Sequence, residues 1–323
     1  RAAALFALVL LALLQGFAAQ GLLAQRIKNE FYGTALVLVL NLCCGALLLP
    51  FLRPRRALAP WFAALGLLIV LVGAALAAYD AIWPRQSGTN VLTSKSLVVD
   101  ASNASQGYIM ARGDAGNKRL KLRVTQGQYK LTYDLNTSGD YEVFPLQLGD
   151  GSYTVELFEN VSGKKYSAEG KVSVNVKLDD PYAPFLGPNQ YVNYTPDTEA
   201  VQTSYELCAG MTDPQEIFET VQAYIKANYL YDYIKAETVK SGTLPDIDGC
   251  YESKMGICQD LAAMAACMLR VQGIPTRLMI GYAGKMYHAW NTVIINGEEV
   301  LYDPTLELSA IDSGLTYTVE RYY

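Results

Sequence analysis

Gly256-Ile257-Cys258-Gln259-Asp260-Leu261-Ala262-Ala263-Met264 decides how the rest of the chain is read. A cysteine stands where a Gly-containing stretch gives way to a periodic helix. Leu261, Met264, Ala265, Met268 and Leu269 follow at helical spacing and define a buried face. Gly273 and Pro275 end the helix. Cys258 therefore lies in or next to the first turn. There the unpaired backbone N–H groups and the helix dipole favour a thiolate and are able to hold an oxyanion.

A thiolate needs a proton carrier, and the chain has one histidine, His288, in Tyr287-His288-Ala289-Trp290-Asn291. A second strand-like run ends in Tyr302-Asp303-Pro304-Thr305. Between them lies Ile295-Asn296-Gly297-Glu298, and Asn-Gly between apolar alternations signals a tight hairpin. A two-residue turn pairs Ile295 with Glu298 and, counting outward, Trp290 with Asp303. His288 is then the diagonal neighbour of Asp303 on one face, within side-chain reach. A slip of one residue would send Asp303 to the other face. The spacing predicts a His288–Asp303 pair, with Asp303 orienting the imidazole toward the helix-start cysteine. Asp303 before Pro304 is also ordinary turn chemistry.

Gly-Ile-Cys-Gln-Asp-Leu-Ala, then Gly273-Ile274-Pro275-Thr276-Arg277, Gly281-Tyr282, His288-Ala289-Trp290 and Asp303-Pro304-Thr305, together resemble the transglutaminase-like superfamily. The resemblance covers roughly the last third of the chain. It implies a papain-like α+β core and thiol-based acyl transfer on amides. Cys258 would be the nucleophile, His288 the base and acid, and Asp303 the orienter. Tyr231, in Tyr231-Asp232, matches a tyrosine-aspartate pair that often precedes the family's cysteine; it would line the site, assist the oxyanion or simply pack. Trp290 shares a face with His288 and would shield the pair or pack. Gln259 is a first-turn candidate for the oxyanion or pocket, and Asp260 suits the helix dipole and need not be catalytic. Many members are bacterial surface or periplasmic proteins.

The composition is uneven. Residues 1–90 hold seven Lys/Arg and two Asp/Glu out of totals of 26 and 31, leaving 19 against 29 in the remainder. That acidic balance argues against nucleic acid as a partner. No C-x-x-C pair, metal motif or nucleotide motif is present, so neither a metal nor a cofactor is expected. Of six cysteines, Cys43 and Cys44 sit in an apolar run and Cys267 reads as a buried small residue. Cys208 and Cys250 either pair with each other, or Cys250 lies near Cys258 and oxidises with it; the sequence leaves both open.

Ala2 to Ala24, Tyr32 to Leu52 and Ala59 to Tyr79 are apolar runs close to the ~20 residues that span a bilayer as a helix. Residues 1–83 are thus expected to form three transmembrane helices. Arg53, Arg55 and Arg56 place the second joint inside, so that everything after the third span is extracytoplasmic. The chain opens at Arg1 rather than Met, as a fragment would, leaving room for further spans upstream. Residues 92–180 alternate like short strands separated by Gln126-Gly127, Ser138-Gly139, Asp150-Gly151 and Ser162-Gly163, the pattern of an antiparallel, immunoglobulin-like β-sandwich. Residues 197–323 carry the transglutaminase-like core, opened by a helix that Asp213 caps and Pro214 starts.

The expected fold class is α+β: transmembrane helices, an all-β sandwich, then a papain-like core. The expected function is a membrane-anchored thiol enzyme acting on amide bonds of proteins or peptides, as peptidase, amidase or transglutaminase. The alternative is a non-catalytic surface or sensor module on the same scaffold.

Overall fold

In the computed structural model the described residues are 83–114, 116, 118–309 and 314–323. Several of the first eight strands show clear period-2 alternation. They are β1 (Val91–Ser94), β2 (Leu97–Asp100), β3 (Tyr108–Gly113), β4 (Leu120–Gln126), β5 (Tyr129–Leu135), β6 (Glu142–Pro145), β7 (Gly151–Ser162) and β8 (Lys165–Val176). In β4, Leu120, Leu122 and Val124 are buried while the residues between them are partly solvated, as expected of a strand with one face on a core. Two antiparallel four-stranded sheets result, β1-β2-β3-β6 and β5-β4-β7-β8. Leu97, Val99, Ile109 and Phe144 from the first sheet, and Leu122, Tyr153, Val155 and Leu157 from the second, belong to one buried cluster.

Residues 177–198 form a strap with little regular structure. Its Phe185, Val192 and Tyr194 are buried, so it is part of the packing rather than a free linker. Helices α1 (Glu199–Leu207) and α2 (Pro214–Asn228) follow. Asp213 caps α2 by accepting from the Gln215 N–H, and Ile217, Val221 and Ile225 form its buried stripe. Next come β9 (Leu230–Tyr231), α3 (Tyr233–Thr238), α4 (Ile247–Ser253), β10 (Met255–Gly256) and α5 (Cys258–Arg270). A four-stranded antiparallel sheet closes the fold: β11 (Thr276–Ala283), β12 (Met286–Ile295), β13 (Glu298–Tyr302) and, after α6 (Pro304–Ser309), β14 (Tyr317–Tyr322). Its order is β13-β12-β11-β14.

Helix α5 is the centre of this half. Periodicity predicted one apolar face, but every residue from Asp260 to Arg270 is buried. Ala262, Ala263 and Ala266 make this feasible, because small side chains let α1, α2, α4 and the sheet approach from several sides. Arg270, also buried, gives its guanidinium to the carbonyls of Thr276, Gly187 and Tyr323, which ties the helix end to the sheet and the strap.

Two expectations are corrected. The chain was expected to cross a membrane with three N-terminal helices; no helix among the described residues is long and apolar enough to do so. The runs 2–24, 32–52 and 59–79 themselves lie outside the described residues. Over the described residues the fold is mixed α/β. The immunoglobulin-like label has no support beyond strand patterning, and the first half is described by its two four-stranded sheets alone.

Candidate active site

Cys258 is the first residue of α5, with Ile257 in extended conformation before it. Glycine is required just upstream: a Cβ on Gly256 would lie 2.6 Å from the Cys250 sulfur and 3.0 Å from the Asp260 Cβ. The entry is fixed by Asp260, whose carboxylate is wholly buried. Its Oδ2 accepts the Ile257 N–H at 3.0 Å and pairs with Lys235 Nζ at 2.7 Å; its Oδ1 accepts the Asp246 N–H at 3.0 Å. Cys258 is half-buried, and its N–H is among the first N–H groups of the helix, which have no partner within it.

The β12–β13 hairpin has the register that an Asn-Gly turn dictates. Asn296 and Gly297 have φ of 53° and 85°, and the ladder runs from Ile295↔Glu298 to Asn291↔Tyr302. Beyond the ladder, diagonally across the hairpin, His288 Nε2 meets Asp303 Oδ2 at 2.7 Å, with both residues buried. The Cys258 thiol is near enough to the same imidazole to help raise its pKa. With Nε2 held by Asp303, Nδ1 is the ring nitrogen left for the sulfur. The structure thus brings Cys258, His288 and Asp303 into one chain of contacts, and only the cysteine end meets solvent.

Asp303 divides its two oxygens. Oδ1 accepts the N–H groups of Thr305 and Leu306, each at 3.1 Å, and caps α6. Oδ2 takes His288 and also the Tyr317 hydroxyl, which donates at 2.9 Å. The turn-forming and orienting roles weighed for this residue are therefore compatible. Burial pulls the His288 pKa down, but its hydrogen bond to Asp303 and the nearby Cys258 outweigh that and push it up to about 9. The imidazole is cationic at neutral pH and suited to sit beside a thiolate.

The remaining sequence candidates fall differently. Tyr231 pairs in parallel with Gly256 through β9 and β10, which sets it beside the cysteine entry. Burial first, and then the negative field of Cys258, push its phenol up to about 12, so it is a neutral donor. Gln259 does not point its amide at the thiol: Nε2 donates to the Thr243 carbonyl at 3.1 Å and holds the preceding loop. Trp290 is buried, near-parallel to His288 with ring centroids 6.4 Å apart and 4.8 Å from Tyr317. It packs against the His288 and Tyr317 rings.

One participant escaped the sequence reading, and a second was noted there only for the helix dipole. Tyr317 carries no local signal, because nothing in the sequence says that the last strand returns beside β11. Asp260 did carry one: an acid at the third position of a helix reaches back to the N–H of the residue before it.

Residues 201–304 match the family model of the transglutaminase-like superfamily, a span that contains Cys258, His288 and Asp303. No curated protein matches the chain. Among solved structures, a proposed cysteine protease from Cytophaga hutchinsonii is 17% identical with a TM-score of 0.36, over 70% of this chain and 80% of that one. The periplasmic domain of TgpA from Pseudomonas aeruginosa is 14% identical with a TM-score of 0.32, over 70% and 77%. A proposed protease from Parabacteroides distasonis is 14% identical with a TM-score of 0.31, over 57% and 37%. Likeness at these values is too slight to carry an activity across. The family model does assign the segment, and over residues 201–304 this chain carries a domain of the transglutaminase-like superfamily.

Proposed function

We propose that this domain is a thiol enzyme that cleaves or transfers the acyl group of an amide in a peptide or protein. The observation that carries the reading is one imidazole bonded to a buried carboxylate through Nε2, with a helix-start thiol near enough to shift its pKa. In the first step the Cys258 thiolate attacks the amide carbonyl, a C–S bond forms, and the oxygen takes up negative charge. The Cys258 N–H is aimed by the helix start at that oxygen, and the Tyr231 phenol is a neutral donor nearby. The C–N bond then breaks as imidazolium gives its proton to the leaving nitrogen. A water or an amine, deprotonated by His288, attacks the thioester and restores the thiol. Water makes the domain a peptidase or amidase; an amine makes it a transglutaminase.

The test is site-resolved alkylation of the full chain with iodoacetamide against pH, followed by turnover of peptide amides with and without an added amine. Cys258 is expected to be alkylated faster than the other cysteines at neutral pH. His288→Ala is expected to abolish that advantage and to lower turnover by about 10²-fold or more. Cys258 reacting no faster than the buried Cys208 and Cys267, with no change in His288→Ala, would refute the reading.

A further inference from the structure

The Asp260 carboxylate lies two residues beyond the cysteine, wholly buried, in the helix turn whose dipole favours the thiolate. Two negative charges at one helix start compete for the same field, so Asp260 works against the cysteine unless it is neutralised. Its backbone partners, the Ile257 and Asp246 N–H groups, satisfy its oxygens but bring no net charge. The Lys235 ammonium, 2.7 Å from Oδ2, does.

The other titratable groups around the cysteine and Asp260 do not replace it. His288 on β12 is cationic, but Asp303 stands behind it at 2.7 Å. Tyr231 on β9 is a neutral phenol. The Cys250 thiol on α4 is pushed up to about 12, by burial first and the Asp260 charge second, so it stays protonated. Asp246 is a further negative charge on the same side, spent on capping α4 through the Gly249 N–H. The Lys254 ammonium sits 3.6 Å from the Tyr251 ring centroid, and no ion pair joins it to Asp260.

Lys235 is also well placed to hold its position. The Asp232 side chain accepts the Lys235 N–H at 2.8 Å, and the Asp232 N–H donates to the Gly256 carbonyl at 3.0 Å. The backbone bearing the lysine is therefore bonded to the stretch that delivers the cysteine.

We infer that Lys235 is a positioning residue for the Cys258 thiolate, neutralising the buried Asp260 so that the helix start stabilises charge on sulfur. The inference rests on the reading of Cys258 as the nucleophile.

The experiment is the pH dependence of iodoacetamide labelling at Cys258 in the full chain, for wild type, Lys235→Arg, Lys235→Met, Asp260→Asn and Lys235→Met/Asp260→Asn. Lys235→Met leaves one uncompensated charge and is expected to raise the labelling midpoint by about one pH unit, roughly tenfold slower labelling at lower pH. Lys235→Arg keeps the positive charge and the wild-type midpoint. The double variant, with neither charge, returns most of the way to wild type. Asp260→Asn, which removes the buried negative charge and leaves the lysine unneutralised at the helix start, lowers the midpoint and decides the matter if Lys235→Met fails to fold. A Lys235→Met profile superimposed on wild type, a double variant displaced as far as the single, or an Asp260→Asn midpoint that rises would each overturn the inference while leaving the nucleophile in place. Loss of wild-type Cys258 reactivity itself would instead remove the reading beneath it.

Discussion

The single histidine of the chain makes the site measurable one proton at a time. His288 binds its proton more tightly in the fold than in the unfolded chain, whose histidine titrates near 6.5, because Asp303 and Cys258 outweigh burial. The stability it contributes is therefore fully present below about pH 6.5 and is lost as pH rises through about 9. A denaturant midpoint that falls across this window in wild type, and falls less in Asp303→Asn, is the expected result. The imidazole NMR titration should likewise move down by at least about one unit in Asp303→Asn. Tyr317 acts in the opposite sense. Its hydroxyl donates to the same Oδ2 that holds the imidazole and disperses the charge there. Tyr317→Phe should concentrate that charge and raise the His288 midpoint, by up to about one pH unit if the bond is an ordinary charge-assisted one. A midpoint that falls would mean that Tyr317 is only packing against Trp290.

At the scale of elements, what was legible in the sequence is what is local. The hairpin register followed from Asn296-Gly297 and from alternation, since a two-residue turn leaves no freedom to slip. The helix start at Cys258 followed from periodicity, and the α2 start from Asp213-Pro214. The pairings that complete the site are non-local. Tyr231 meets Gly256 across 24 intervening residues, and β14 lies beside β11 with no turn signal joining them. The β11–β14 contact needs glycine at 281. A Cβ there would stand 2.0 Å from the Thr318 carbonyl oxygen and 3.0 Å from the Glu320 nitrogen, both backbone atoms that have no rotamer to escape into. Gly281→Ala should thus cost about 1–3 kcal/mol and displace β14 together with Tyr317. Gly297→Ala is the control: its φ of 85° is strained for alanine, at about 1–2 kcal/mol, yet nothing lies within 4 Å of its Cβ. Both variants should lower the denaturant midpoint, and only Gly281→Ala should shift the His288 titration. Equal shifts, or none, would separate β14 from the electrostatics of the pair.

Across the whole described structure, the two-sheet half and the transglutaminase-like half share a buried seam, although hydropathy and strand spacing read them as separate domains. Tyr323 is its centre. Its ring stacks on Tyr191 of the strap at 3.6 Å and 13°, and Tyr133 of β5 meets it edge-on at 6.0 Å. Its carbonyl accepts from Arg270 at the end of α5, and its backbone exchanges two 2.9 Å hydrogen bonds with Leu278. Gln147, next to the first-half core, donates to the Tyr322 carbonyl at 2.9 Å. The sequence offered no sign of this, because aromatic residues more than a hundred positions apart carry no mutual register. The seam makes the helix that starts at Cys258 continuous, through Arg270, with the β-sheet half. Replacing the buried Tyr323 ring by alanine should cost about 3–5 kcal/mol. Because the Tyr323 ring and backbone touch both halves, that loss falls on their coupling. Calorimetry of the full chain should therefore show the unfolding of residues 82–323 as one transition in wild type and as two in Tyr323→Ala, with the sheets of β1–β8 melting apart from α5. A single transition merely displaced to lower temperature would mean that Arg270 and the strap suffice to hold the halves as one cooperative body.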